Sequence, residues 1–127
     1  DLYSLSRYFE RRKETDKIET IYYRIKEEES GLSPEAALHY AKNLKRNRKF
    51  AVSVEIWESI VKEKSGASFR AGIELAKYYE HQLADFGRAL EFTKIARNCA
   101  AINSREELDL KKRVQRLNRK LNASADN

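Results

Sequence analysis

One motif recurs along this chain at a step of 35 or 36 residues, and a chain built that way has few folds open to it. Leu5-Ser6 with Phe9 reappears as Tyr40-Ala41 with Leu44 and again as Leu75-Ala76 with Tyr79, each 35 residues on. A second set follows. Ile18, Tyr22 and Ile25 align with Ser53, Trp57 and Ile60, and these with Ala89, Thr93 and Ala96 at a step of 36, the extra residue falling in the Glu80–Asp85 turn. Within each set the positions stand mostly three or four apart, the spacing of one face of an α-helix. Each unit therefore reads as a helix pair: a large apolar residue, a small one and another large one, then a turn, then three core positions on the returning helix. A unit of this size cannot bury its apolar face alone, so neighbours must stack and share a core.

The helical period is interrupted near Lys13-Glu14-Thr15, at Ser30-Gly31-Leu32-Ser33-Pro34, around Asn47-Arg48, at Ser65-Gly66, near Ala84-Asp85 and at Asn103-Ser104. These breaks predict seven helices, roughly 2–12, 15–29, 34–47, 49–64, 68–82, 86–101 and 104–121. Ser33 before Pro34 is an N-cap followed by proline at the first helical position. Asp85 caps the sixth helix, and Ser104 with Glu107 forms a capping box at the seventh. That last helix carries Leu110, Val114, Leu117 and Leu121 as one apolar stripe on a polar surface, as a capping helix should. One proline and four scattered glycines are too few turn residues for an all-β chain. No apolar run approaches the roughly 18 residues of a membrane span.

The pattern resembles the tetratricopeptide repeat, whose usual length is about 34 residues. Leu75-Ala76 and Tyr79 match its first helix, Phe50 and Phe86 occupy the aromatic position that opens the second, and Trp57 and Tyr22 match a later aromatic. The sequence departs from the pattern at Ser6, where Gly or Ala is usual, at Ile18 and Ser53, where Ala is usual, and in lacking the closing proline. The resemblance implies an all-α solenoid of three divergent antiparallel helix pairs, over about 1–33, 34–67 and 68–103. A capping helix over 104–121 would close it, in a single domain with a disordered tail at 122–127.

A narrower likeness lies in Ile73-Glu74-Leu75-Ala76-Lys77-Tyr78-Tyr79-Glu80-His81, followed by Asp85-Phe86 and Ala89-Leu90-Glu91. The closing Glu107-Leu108, Lys112-Arg113, Arg116-Leu117 and Lys120-Leu121, and the opening Asp1-Leu2-Tyr3-Ser4-Leu5, share it. These segments are similar to the C-terminal region of a group of bacterial proteins in which a ribonuclease-H-like, exonuclease-type domain precedes tetratricopeptide-like repeats. The resemblance takes in nearly the whole chain. It implies a C-terminal piece of a longer protein, in keeping with a start at Asp1 rather than Met. The metal-binding carboxylates of that group belong to the N-terminal domain, so no catalytic residue carries over.

Chemistry within the chain itself is not expected. Two-metal catalysis needs several carboxylates converging on ions about 4 Å apart. Here Asp1, Asp16, Asp85, Asp109 and Asp126 sit mostly at caps or ends, and Glu27-Glu28-Glu29 reads as a solvated helix terminus. One cysteine, Cys99, and two histidines, His39 and His81, cannot make a thiolate zinc site. Cys99 reads as a reduced thiol inside a helix. There is no nucleophile elbow and no glycine-rich phosphate loop. No catalytic residue, metal or cofactor is therefore assigned. With no signal peptide, Asn122-Ala123-Ser124 is not read as a glycosylation site, and the expected location is cytoplasmic.

Charge offers more. Twenty-six Lys and Arg against twenty Asp and Glu leave a net charge of +6, compatible with acidic peptides, nucleic acid or a solvated surface. Arg7 and Arg11, Lys42 and Arg46, and Lys77 and His81 are pairs four apart that recur at 35-residue steps on the first helix of each unit. Like charges at that spacing disfavour a helix by a few tenths of a kcal/mol, so three such pairs point to a use. In tetratricopeptide folds the first helices line the concave groove, which makes these six candidate groove residues, with Tyr3, Leu38, His39 and Ile73 beside them. Glu10, Glu74 and Glu80 are neighbours that offset part of the charge. A second basic patch comprises Lys112, Arg113, Arg116 and Arg119, with Lys111 and Lys120 at its edges. Most of the aromatics are expected to pack in the core.

The leading expectation is a non-catalytic protein-interaction module whose basic groove binds an acidic peptide or the parent's own catalytic domain. A nucleic-acid-binding accessory domain is the alternative, and a purely structural brace is a third. No membrane contact is expected.

Overall fold

The structure is a computed structural model that describes residues 12–14, 16, 17, 19, 20, 23, 32–99 and 102–125. Five helices follow Leu32: α1 (Pro34–Arg46), α2 (Phe50–Glu63), α3 (Ser68–His81), α4 (Phe86–Arg97) and α5 (Ser104–Ala125). Among the described residues there is no strand, and those between 12 and 23 are helical. At the expected helix break Lys13-Glu14-Thr15, Lys13 and Glu14 are helical, and so are Asp16 and Lys17, while Thr15 lies outside the described residues. Neither proline nor glycine stands at that point to stop a helix.

The helix starts follow local chemistry. The Ser33 side chain accepts the amide N–H of Ala36 at 3.2 Å with Pro34 just inside α1. Asp85 accepts the N–H of Arg88 at 3.1 Å and starts α4. The capping box of α5 lies one residue earlier than expected. The N–H of Glu106 donates to Asn103 Oδ1 at 2.8 Å, and the N–H of Asn103 donates back to Glu106 Oε1 at 3.0 Å. Asn caps as well as Ser, so the two registers compete closely and tertiary fit chooses between them.

Two helix ends also differ from expectation. α4 stops at Arg97, because the N–H groups of Asn98 and Cys99 turn back onto Lys94, Ile95 and Ala96 carbonyls in a tightened last turn. Cys99 is therefore in a turn rather than a helix interior. α5 continues to Ala125, past the expected end at Leu121, so Asn122–Ala125 is helix and not a disordered tail. Two alanines and no breaker favour continuation there. Three connections pass through a left-handed residue that is not glycine: Arg48 (φ 60°), Lys64 (φ 51°) and Ala84 (φ 49°).

The chain divides into two compact units, Asp1–Ile56 and Trp57–Asn127, the division falling inside α2. In the first, Ala37, Ala41, Leu44, Val52 and Ile56 are buried. Ser53 is buried too, and its hydroxyl donates to the carbonyls of Ala41 and Lys49, both at 3.1 Å. Lys49 Nζ meets Asp16 at 3.3 Å and Glu19 at 3.6 Å.

In the second unit the core is Trp57, Ile60, Ala71, Leu75, Ala76, Tyr79, Ala89, Thr93, Ala96, Leu110 and Leu117. α3 and α4 approach closely at Gly72, where a Cβ would stand 3.1 Å from that of Ala96. Tyr79 stacks on Phe92 with ring centroids 5.5 Å apart. Its hydroxyl donates to Glu58 and accepts from Arg88, which also lies over the ring. The Ser68 hydroxyl donates to the Ile60 carbonyl at 2.9 Å and ties α3 to the end of α2. Burial thus repeats in register with the sequence motif: Ala41 and Leu44 match Ala76 and Tyr79, and Ser53, Trp57 and Ile60 match Ala89, Thr93 and Ala96.

Candidate functional site

The densest polar chemistry among the described residues lies between α3 and α5, inside the second unit. Glu80 sits in the last turn of α3 with its side chain fully buried. It points to the core side because Leu75, Ala76 and Tyr79 set that face, and Glu80 follows four residues after Ala76. A buried carboxylate needs partners, and α5 supplies three. Arg116 donates from Nε to Oε2 and from Nη2 to Oε1, both at 2.8 Å. Lys120 donates to Oε2 at 2.7 Å, and Arg113 to Oε1 at 3.2 Å.

The bidentate Arg116, joined by Lys120, holds the Glu80 carboxyl down to about 2 although burial alone would raise it. The same bonds raise Arg116, whereas burial lowers Arg113, helped by the neighbouring Arg116 charge. Lys120 also lies 5.3 Å from the centre of the Phe86 ring, tying α5 to the start of α4.

Beside this clasp runs a cleft of about 390 Å³ between the first three turns of α3 and those of α5. Phe69, Ile73 and Leu110 give it an apolar floor, and Arg70, Lys77, Arg105 and Arg113 line it with positive charge. Glu106 and Asp109 also border it. A second cavity, about 620 Å³, lies where the end of α2, the start of α3 and the end of α4 meet, lined by Val61, Phe69, Ile95 and Cys99. The half-buried Cys99 thiol donates to the Ile95 carbonyl at 3.5 Å, and burial pushes its pKa up.

The expected groove residues separate under this geometry. Tyr3, Arg7 and Arg11 lie outside the described residues. His39, Lys42 and Arg46 are exposed on α1, in the first unit. Lys77 lines the cleft, 3.7 Å from Glu74, and His81 is exposed with Nε2 at 3.7 Å from Glu80. The second patch splits. Lys112 and Arg119 face solvent, while Arg113 and Arg116 turn inward to Glu80 together with Lys120. Glu80, read from sequence as a neighbour that offsets the ladder, is the residue this reading missed. The signal was available in the period: Glu80 and Arg116 stand 36 residues apart, one repeat step. Among the described residues no three His, Cys, Asp or Glu side chains converge to hold a metal ion. Nor is any helix among them long and apolar enough to cross a membrane.

No protein-family model matches the chain, and no solved structure matches it. It is 30% identical over 122 residues to the uncharacterized protein YprB of Bacillus subtilis (strain 168), a match covering 94% of this chain. The chain spans about 30% of the length of that relative.

Proposed function

We propose that this chain is a non-catalytic interaction module of tetratricopeptide-like helix pairs, in which α5 begins where a further repeat would start and caps the array. The register of burial in α1 to α4 and the 36-residue step from Glu80 to Arg116 support that reading. The module serves as an accessory region of a longer, ribonuclease-H-like, exonuclease-type protein in the cytoplasm. The similarity to a relative more than three times as long as the matched stretch fits such a place. Its ligand is an acidic segment of a partner protein or of the parent's catalytic domain. One observation carries this: four basic side chains, Arg70, Lys77, Arg105 and Arg113, surround an apolar floor in one cleft. Carboxylates suit such donors, and an apolar floor adds the burial that a bare cation surface lacks.

The test is fluorescence anisotropy of the full chain with a labelled acidic peptide and with single-stranded RNA, from about 50 to about 300 mM salt. Peptide binding that survives the higher salt and is lost in Lys77→Glu is the expected result. Binding of RNA alone, with a steep fall as salt rises, refutes the peptide reading and favours a nucleic-acid role.

A further inference from the structure

From Leu110 onward α5 carries charge of one sign. The stretch to Ala125 holds six cations and no Asp or Glu, in a chain with twenty acidic residues. Arg113, Arg116 and Lys120 turn inward and share Glu80. Lys111, Lys112 and Arg119 are exposed and have no ion pair among the described residues. Two ordinary explanations do not account for these three. The helix dipole favours cations in the last turn, and the last turn of α5 has none. Solvated helix faces offset Lys and Arg with nearby acids, as the exposed Glu35 on α1, Glu58 and Glu63 on α2 and Glu91 on α4 can do. After Asp109, α5 has no such residue.

The neighbours of these cations select the kind of partner. The exposed residues between 111 and 122 are Lys111, Lys112, Gln115, Asn118, Arg119 and Asn122, each a cation or a carboxamide. Leu108, one turn earlier and 52% exposed, is the one exposed large apolar side chain of α5. A protein interface is built around a buried apolar centre, and a lipid surface takes an apolar helix face. The 111–122 face offers neither. Interfaces with nucleic acid are more polar and more positive, with Lys, Arg, Asn and Gln donating to phosphate and sugar. None of the six residues lines the cleft.

We propose that the outward face of α5 over 111–122 is a second binding surface, which holds the phosphate backbone of a nucleic-acid strand without reading its sequence. Lys112 and Arg119 stand two turns apart on one side of the helix, about 10.5 Å along its axis, with Lys111 beside them. These three cations neutralise phosphates, and Gln115, Asn118 and Asn122 donate to phosphate and sugar oxygens between and beyond them.

The experiment measures anisotropy of a labelled mixed-sequence single strand, and of the duplex form, with the full chain from about 50 to about 300 mM salt. Three phosphate contacts give a slope of log K against log salt of about −2 for the single strand and about −2.7 for the duplex. Lys112→Ala/Arg119→Ala should weaken binding at least about tenfold at low salt and flatten the single-strand slope by about 1.4. Lys62→Ala/Lys94→Ala removes the same charge from exposed positions on α2 and α4 and should leave binding within about twofold. Alanine suits an exposed helix position, so neither variant threatens the fold. No binding at low salt overturns the proposal. So does an equal loss in both variants, which would mean attraction to net charge alone, and so does poly-glutamate of equal length that binds this face more tightly than the oligonucleotide. None of these substitutions touches the cleft, so failure here leaves the peptide reading of the cleft standing.

Discussion

Replacing Glu80 by Gln keeps the shape of the α3–α5 junction and removes its one buried negative charge. The magnitude follows from two independent routes. A carboxyl held at about 2 against an ordinary 4.5 contributes about 3 kcal/mol of folding free energy at neutral pH. Breaking a buried ion pair from one side costs about 3–5 kcal/mol when the abandoned charge stays dry. Here Arg113, Arg116 and Lys120 keep 16%, 37% and 37% of their side chains exposed and can rehydrate, which brings the second figure down toward the first. The expected loss for Glu80→Gln is thus about 2–3 kcal/mol at pH 7, or roughly 10 °C in melting temperature for a chain of this size. Because the folded-state pKa is depressed, this stabilisation is complete above about pH 4.5 and disappears as pH falls toward 2. Urea titrations of parent and variant at several pH values isolate it, since every other carboxylate is common to both proteins. The difference should shrink to about 1.5 kcal/mol or less near pH 3. A variant within about 0.5 kcal/mol of the parent at pH 7, or a gap that does not narrow in acid, refutes an ionised, clasped Glu80.

Three further outcomes follow from local geometry. Lys64→Gly and Ala84→Gly place glycine at left-handed positions and should each stabilise by about 0.5–1 kcal/mol in calorimetry, strain relief exceeding the added freedom of the unfolded chain. Asn103→Ala should cost about 1 kcal/mol and Ser104→Ala almost nothing, because Asn103 is the residue that caps α5; equal effects would restore the capping box at Ser104. The Cys99 thiol should react with a disulfide reagent at pH 7.5 more slowly than free cysteine, since its pKa is raised by burial; a rate matching the free amino acid contradicts its half-buried setting.

The repeat itself was legible because it is written in residue size. Large–small–large triplets at a 35-residue step name positions that must face a neighbour, and Ala41, Leu44, Leu75, Ala76 and Tyr79 are buried where that argument puts them. Helix ends were less legible. Asn103 and Ser104 are nearly equal as caps, and nothing in the composition of Arg97-Asn98-Cys99 says that the last turn tightens there rather than two residues on. The site was half legible. Lys77 was named and lines the cleft, yet Arg70 and Arg105 were passed over because each stands outside the i, i+4 pairs that drew attention. Counting cations finds surfaces of charge and gives no account of which cations are already neutralised.

That distinction can be drawn from the sequence once helical rotation is applied to the last helix. Arg113, Arg116 and Lys120 fall at i, i+3 and i+7, a single stripe flanking the buried Leu110 and Leu117, whereas Lys112 and Arg119 fall on a stripe turned away from it. Cations beside an apolar stripe are carried toward the protein when that stripe is buried, and a half-buried row of three requires an anion opposite. In a repeat array the opposite residue stands about one period earlier. For Arg116 that position is residue 80, a glutamate directly after the buried Tyr79. The acidic partner of α5 thus stands 36 residues before Arg116, the same step that relates Ser53, Trp57 and Ile60 to Ala89, Thr93 and Ala96. The same match holds Arg113 at the wall of the cleft, because one of its N–H groups donates to Glu80.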